Sequence, residues 1–371
     1  MVSLCYTKPI GKEVVRPHRN TFNNMITTES SITRVTERGL RKIELIGKVC
    51  TKMEHTIKED SAEKFVYNRI VDAHTAILEH EYVYFKLHLN NRIIKEFCSL
   101  SPYIRLSYNN KYVGFSYRFF IDIIGDSRRS AHKIANLEYS ITINDLFYIM
   151  FHLTPELSNL MYDDCKVLEK VHYVNETLMQ VNRVYDEEIL KYAPEIFNVT
   201  YKITTDRGIT HELVRHKEMS FMQESTRYCN YSKNRYGNSI NVIDPNFDNF
   251  EQSVEWADAM ADAEAHYMEM LNYGASPQMA RSVLPTSTKA DIYVSGTLDM
   301  WIGDSFEINT PKLKTTENKG FLPLRNSKYA HPQIIPIAQM IEDDLYDNYA
   351  TPIANIKNTK ELCKKINSSQ K

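Results

Sequence analysis

Two periodicities of hydrophobic and polar residues run along the chain, and each predicts a different kind of element. Strict alternation predicts half-buried strands at 82–89, 198–205, 239–243 and 290–294. Spacing by three and four residues predicts helices at 32–52, 62–78, 146–153, 167–190 and 252–273. Gly274 follows the last of these and is a typical helix C-cap. The chain therefore combines strands with helices throughout most of its length.

Three stretches carry no decisive pattern. Residues 1–30 are polar and without periodicity, which predicts a loose arm, and residues beyond 357 are polar and expected to fray. Residues 97–197 are the least informative part, and within them 112–124 fits either a strand or an apolar helix.

The segment 205–233 concentrates charges, hydroxyls and amides at a density that a packed core does not tolerate. Asp206-Arg207-Gly208 indicates a turn, and the helix that follows would present Arg215, His216 and Lys217 at its end. A further run of hydrogen-bonding side chains comes next: Ser220, Gln223, Glu224, Ser225, Thr226, Arg227 and Tyr228. Cations beside hydroxyls suit a phosphate or diphosphate. The alternative is a solvated helix end with a polar loop, the usual state of exposed charge.

Composition narrows the class of protein. The 371 residues are 43% hydrophobic and 25% charged, with a net charge of −2, which is typical of a globular protein and gives no support to bulk nucleic-acid binding. No apolar run is long enough to span a bilayer, and residues 1–20 lack the apolar core of a signal peptide. The six cysteines are scattered without metal-site spacing, so we expect reduced thiols in the cytoplasm, no metal, and no nucleic-acid or membrane partner.

The order Arg215-His216-Lys217, Ser220, Gln223, Ser225, Arg227-Tyr228 resembles the signature of the flavin-dependent thymidylate synthases, with Lys217 where that family usually has arginine. Further blocks are similar to the same family. They are Glu79-His80 after His74, the segment 277–285 with Arg281, the segment 321–325 with Arg325, and the segment 330–333 with His331. Thr297 and Asp299 depart from the family's flavin-contacting turn, and Ile77-Leu78 replaces its Pro-Phe.

The resemblance implies a fold and an assembly. The expected fold class is α+β, the thymidylate synthase-complementing protein fold, with a central mixed or antiparallel sheet flanked by helices. A single catalytic domain would cover 31–357, with an insertion at about 97–197 typical of the family's longer branch. An arm at 1–30 and a polar tail at 358–371 would flank this domain. Members of the family are homotetramers with shared active sites, and we expect the same assembly here, in the cytoplasm (of the host, if a virus encodes the chain).

The resemblance also implies a reaction. It is the conversion of dUMP to dTMP with methylenetetrahydrofolate as carbon donor, FAD as redox carrier and NADPH as reductant. Arg325 would be catalytic, because a cation beside the N3–H side of uracil stabilises the charge that develops as C5 becomes nucleophilic. The residues implied for dUMP are Glu212, Arg215, Gln223, Glu224, Ser225, Thr226, Arg227 and Arg281. Those implied for FAD are His80, Arg215, His216, Lys217, Gln223, Thr297 and His331.

Three alternatives stay open. A related enzyme could transfer a hydroxymethyl group to dUMP, which the departures at Lys217, Thr297 and Asp299 leave possible. A non-catalytic nucleotide-binding relative could have lost FAD. A nucleic-acid-binding module could use the basic cluster at 205–233, although the near-neutral net charge argues against it. Cys229 follows Arg227 closely and is a tempting nucleophile, but a buried structural thiol is the preferred interpretation.

Overall fold

A four-stranded antiparallel sheet carries the signature segment. A computed structural model describes residues 26–88, 91–98, 101–124, 149–160, 180–303 and 320–369. The strands of this sheet, in spatial order, are β2 (Ser31–Arg34), β7 (Asn198–Asp206), β10 (Lys289–Thr297) and β8 (Ser220–Gln223). The two long strands, β7 and β10, pair along their whole length and form the centre of the sheet.

A second antiparallel sheet is built mostly from the segment 97–197. Its strands, in spatial order, are β4 (Ile104–Leu106), β5 (Tyr112–Ser116), β3 (Tyr82–His88) and β6 (Gln180–Val184). Only β3 lies outside that segment. A separate parallel pair joins β1 (Ile26–Thr28) to β9 (Asn241–Ile243).

Helices and short 3₁₀ turns connect the strands. The helices are α1 (Gly39–Lys48), α2 (Ala62–Val71), α3 (Asn91–Cys98), α4 (Tyr117–Ile124), α5 (Pro155–Ser158), α6 (Asp186–Tyr192), α7 (Arg207–Leu213), α8 (Phe250–Asn272), α9 (Pro277–Ala280), α10 (Leu298–Ile302), α11 (Phe321–Arg325) and α12 (Ile334–Ser369). The 3₁₀ turns are Val49–Thr51, Glu54–Thr56, Thr75–His80, Pro194–Ile196, Asn234–Tyr236 and Arg281–Val283. Within the described residues, no helix combines the length and apolar character needed to cross a membrane.

One hydrophobic cluster contains residues of both sheets. Trp301 is fully buried, its ring lies 5.2 Å from that of Tyr201 and 5.0 Å from that of Phe321, and its indole N–H donates to the carbonyl of Val199 at 3.2 Å. Tyr84 and Val184 of the second sheet belong to the same cluster. Burial of large aromatic side chains is the strongest contribution to such a core. It fixes α10 and α11 against β7, which decides where the residues at the ends of these elements lie.

Most of the strongly periodic elements are confirmed. The strands predicted at 82–89, 198–205 and 290–294 occur within one to three residues of their predicted ends. The helix predicted at 252–273 is α8, and Gly274 follows it with φ of +88°, a backbone conformation that favours glycine. The ambiguous stretch 112–124 contains both alternatives, since β5 leads directly into α4. The α+β class is confirmed.

Three helix predictions are wrong in part. In each case, part of the predicted helix pairs with a strand or forms a turn instead. Residues 32–34 of the helix predicted at 32–52 belong to β2 and pair with β7 as a strand. Residues 180–184 of the helix predicted at 167–190 pair with β3. The helix predicted at 62–78 ends at Val71, and a 3₁₀ turn covers 75–80. Pairing with a neighbouring strand satisfies the backbone N–H and C=O groups of such residues. They therefore form strands although their hydrophobic spacing favours a helix.

Two described segments near the chain ends contain more secondary structure than the sequence indicates. Residues 26–28 of the predicted arm form β1, and α12 continues to Ser369, where fraying was expected beyond 357. Ile353 and Ile356 are buried and hold α12 against the core just before residue 357. Residues 149–152 of the helix predicted at 146–153 are helical, whereas 161–179 and most of the 302–320 loop lie outside the described residues. The single catalytic domain with an insertion stays a prediction.

Candidate active site

The signature helix α7 begins at a buried carboxylate. Asp206 is the last residue of β7, and its Oδ1 accepts the N–H of Ile209 at 2.8 Å, so that it caps the helix. Its Oδ2 accepts a hydrogen bond from Gln333 Nε2 at 3.1 Å. Burial raises the pKa of Asp206. Asp206 thus connects the end of β7, the start of α7 and the segment 330–333.

Arg325 meets the other end of α7. Its Nε donates to Nε2 of His216 at 2.8 Å, its Nη1 forms an ion pair with Oε2 of Glu212 at 3.2 Å, and its Nη2 donates to the carbonyl of Glu212. The arginine side chain is only 13% exposed. Three residues implied by two separate sequence blocks therefore converge at one place.

His216 is held neutral by its surroundings. Burial, followed by the positive charge of Arg325, lowers its pKa to about 4. Its ring also packs 4.9 Å from that of Phe321. Because Nε2 accepts the hydrogen bond from Arg325, the proton of the neutral imidazole is on Nδ1.

The loop after β8 is fixed from several sides. Gln223 Nε2 donates to the hydroxyl of Thr210 on α7 at 2.8 Å, and the N–H of Ser225 donates to the carbonyl of Cys50 at 3.1 Å. Glu224 is buried and forms an ion pair with Lys52 at 3.0 Å. The side chain of Thr226 is also buried, whereas that of Arg227 is exposed and its Nε donates to Gln278 Oε1 at 3.1 Å.

Several of the implied cations stay open to solvent. Arg215, Lys217, Arg281 and His331 are exposed. Within the described parts of the chain, the side chains of Arg215, Lys217 and Arg281 have no hydrogen bond or ion pair. Arg215 and Lys217 flank His216, so two unpaired cations lie beside the Arg325 contact. Unpaired guanidinium and ammonium groups of this kind suit an anionic ligand.

Two of the implied flavin residues lie in the interior instead. His80 is fully buried, and its Nδ1 is 2.7 Å from the hydroxyl of Ser295 on β10, which in turn is 2.6 Å from the hydroxyl of Thr200. Burial, with a smaller effect of Lys42, lowers the pKa of His80 to about 3, and its Nε2 has no hydrogen-bond partner in the described structure. Thr297 is 2% exposed at the end of β10.

Sequence reasoning misses several residues that support the site. Lys52 contacts the implied binding residue Glu224 from a different segment, so no local spacing indicates it. Thr210 and Gln278 lie within segments that the sequence singles out, but only the structure shows their contacts with Gln223 and Arg227. The fully buried pair Lys42–Glu81, at 3.0 Å beside His80, is missed for the same reason. No cluster of three or more metal-ligating side chains occurs among the described residues.

Residues 180–310 match the model of the family described as thymidylate synthase complementing protein, so this segment of the chain is similar to that family. Its curated relatives include a flavin-dependent thymidylate synthase of Synechocystis sp., 31% identical over 29% of this chain and 55% of the relative. A probable flavin-dependent thymidylate synthase of Paramecium bursaria Chlorella virus 1 is 30% identical over 33% of this chain and 66% of the relative. The chain thus spans about half to two thirds of the length of these relatives.

A solved structure, a UMP/dUMP methylase PolB from Streptomyces cacaoi bound with 5-Br dUMP, covers 87% of this chain and 93% of its own. It is 14% identical with a TM-score of 0.32, so the likeness is distant.

We expect the imidazole of His216 to stay neutral well below the ordinary histidine pKa of 6.5 and to titrate near 4. Between these values the unfolded chain binds more protons than the folded one, so His216 lowers the free energy of unfolding as the pH falls through that window. Arg325→Met should raise the pKa of His216 by removing the nearby positive charge. Proton and nitrogen NMR of the histidine rings measures the pKa of His216 in the unaltered protein and in Arg325→Met.

The matched control is Arg235→Met, because that guanidinium lies over the ring of Tyr236, 4.6 Å from its centroid, and contributes nothing to the shift. A His216 that titrates near 6.5 in the unaltered protein would contradict the observed packing.

Proposed function

We propose that the protein is a flavin-dependent thymidylate synthase, which converts dUMP to dTMP with methylenetetrahydrofolate as carbon donor, FAD as redox carrier and NADPH as reductant. The observation that carries the proposal is the convergence of Arg325 with Glu212 and His216, beside exposed cations without a partner in the part of the chain that the structure describes. The family match and the names of the curated relatives support the same reaction class.

Arg325 is the residue we assign to catalysis. A guanidinium stays charged at any working pH, and its flat fork suits the planar edge of a uracil ring. Held against Glu212 and His216, it would meet the ring in a fixed orientation, so that its charge is already in place when negative charge develops on the base. The neutral state of His216 matters here, because a second cation at that position would repel Arg325.

The phosphate side of dUMP would be held by exposed cations and by the loop after β8. Arg281, at the first position of its 3₁₀ turn, has no partner of its own in the described structure. The exposed Arg227 side chain donates a hydrogen bond to Gln278 and lies over the ring of Tyr228, and it has no ion pair among the described residues. The remaining proposed dUMP contacts are Glu212, Arg215, Gln223, Glu224, Ser225 and Thr226. Because Glu224 and Thr226 are buried, they would act mainly by fixing the loop backbone.

The cations beside His216 fit FAD. Its diphosphate needs positive charge that is not already neutralised, and Arg215 and Lys217 offer it. When bound, FAD supplies the redox chemistry that no side chain can. His216, Gln223 and His331 are the further proposed contacts on this side. His80 and Thr297 are enclosed, so we assign them an indirect part, which is to fix β10 from within.

Cys229 does not suit the role of nucleophile. It is fully buried, and burial raises the pKa of its thiol to about 12. The reactive form of cysteine is the thiolate, which this environment disfavours. A mechanism in which polarised uracil reacts without a covalent enzyme adduct therefore fits the site better.

The proposed assembly is a homotetramer in the cytoplasm. Exposed cations that have no partner among the described residues are compatible with active sites shared between subunits. We propose no nucleic-acid partner, because the net charge of −2 offers no general attraction to a polyanion.

The proposed reaction is tested by incubating the purified protein with dUMP, methylenetetrahydrofolate, NADPH and FAD, followed by mass spectrometry of the nucleotides. We expect dTMP, and we expect its formation to require FAD. Hydroxymethyl-dUMP as the product would favour the hydroxymethylase alternative. Binding of dUMP without any turnover would favour the non-catalytic relative.

The two downstream arginines should differ in their kinetic effects. Arg281→Ala should raise the KM for dUMP by about tenfold with little change in kcat, because a phosphate contact is used equally throughout the reaction. Arg325→Ala should also lower kcat, by about a hundredfold, since its partner charge develops only in the transition state. Steady-state kinetics at varied dUMP separates the two.

Arg69→Ala serves as the control, because Arg69 forms a surface ion pair with Asp72 at 2.8 Å. It should match the unaltered protein. Equal defects in Arg281→Ala and Arg325→Ala would contradict this division of roles.

A further inference from the structure

Six side chains of alternating charge form a series of ion pairs, here called the charge chain, which begins and ends on one short turn. Lys52 Nζ lies 3.0 Å from Oε1 of Glu224, and the other carboxylate oxygen of Glu224 lies 3.9 Å from Lys289. Lys289 is 2.7 Å from Asp291, Asp291 is 3.4 Å from Lys202, and Lys202 is 3.5 Å from Glu54. The series of ion pairs therefore starts at residue 52, passes the residue that follows β8, crosses β10 and β7, and returns to residue 54.

Contacts with main-chain carbonyls tie the same turn to the loop after β8. The carbonyl of Cys50 accepts the N–H of Ser225 at 3.1 Å, and the carbonyl of Thr51 accepts the hydroxyl of Tyr236 at 3.2 Å. Lys52 itself has a left-handed backbone, with φ of 52°. Such a conformation is unfavourable for a residue with a side chain and persists where surrounding contacts hold it.

We propose that residues 49–54, here called the clamp turn, position the loop that binds the nucleotide, and that Lys52 is the positioning residue in it. The inference rests on the proposed function, because it assigns Ser225, Thr226 and Arg227 to dUMP. Lys52 would not touch the nucleotide. It would act through Glu224, which fixes the backbone of this loop, and thereby set the position of the Ser225 N–H and of the residues after it.

The surroundings of Glu224 explain why Lys52 matters. Glu224 is 1% exposed, so its charge depends on its partners. The hydroxyl of Tyr231 donates to Oε1 at 2.6 Å but carries no charge, and Lys289 is closer to Asp291 than to Glu224. Without Lys52, Glu224 would keep one neutral donor and a shared, distant cation. The least costly relief is for Glu224 to move towards water, and the loop would move with it.

The test compares Lys52→Met, which keeps the length of the side chain but removes its charge, with Lys52→Arg. Hydrogen exchange of the amides at 225–229 should become at least about fivefold faster in Lys52→Met and return towards the original rate in Lys52→Arg. The dissociation constant for dUMP should rise by about tenfold in Lys52→Met, with FAD affinity within about twofold of the unaltered protein. Lys58→Met is the matched control, because Lys58 is exposed in the same region and has no ion pair in the described structure.

The outcomes separate this inference from the proposed function. Unchanged hydrogen exchange at 225–229 in a folded Lys52→Met variant would overturn the proposed role of the clamp turn. Faster exchange in a protein that binds no dUMP even when unaltered would refute the proposed function, and it would leave the clamp turn as the support of this loop. If Lys52→Met does not fold, Glu54→Gln weakens the far end of the charge chain, and the same amides should exchange about twofold faster. Unchanged exchange of these amides in Glu54→Gln would also overturn the proposed role of the clamp turn.

Discussion

The site depends on the pairing of β7 with β10. Nine consecutive residue pairs join the two strands, from Asp206 opposite Lys289 to Asn198 opposite Thr297. At one end of this ladder the chain enters α7, and at the other end it enters α10. Because the ladder fixes both departure points, a shift of register would displace the signature helix from the core that holds α11. The contact of Arg325 with α7 is therefore a consequence of strand pairing several residues away.

Charged side chains occur in two environments in this structure. Charges in the interior are paired: Lys42 with Glu81, and Glu224 with Lys52. Charges beside the Arg325 contact, on Arg215 and Lys217, are exposed and unpaired in the described structure. Burial of an unpaired charge is costly, whereas an exposed cation keeps its full capacity for an anionic ligand. The contrast distinguishes residues that build the site from residues left for nucleotide and cofactor.

The sequence predicts the parts of this architecture that depend on local pattern. Alternation locates β3, β7 and β10, and the spacing of the signature identifies the residues that meet at Arg325. It does not predict β2 or β6, because both become strands through partners that are distant in sequence. It also does not reveal that His80 is enclosed or that Lys52 reaches Glu224, since burial and long-range ion pairs arise only from tertiary packing.

The central claim is that Arg325, Glu212 and His216 lie where the nucleotide meets the flavin. The most direct measurement is the visible absorption spectrum of the FAD-loaded protein during a titration with dUMP. The account predicts that dUMP perturbs the flavin bands of the unaltered protein, and that Arg325→Ala retains FAD but loses most of this response. A protein that takes up no FAD, or an Arg325→Ala variant that responds to dUMP as the unaltered protein does, would contradict it.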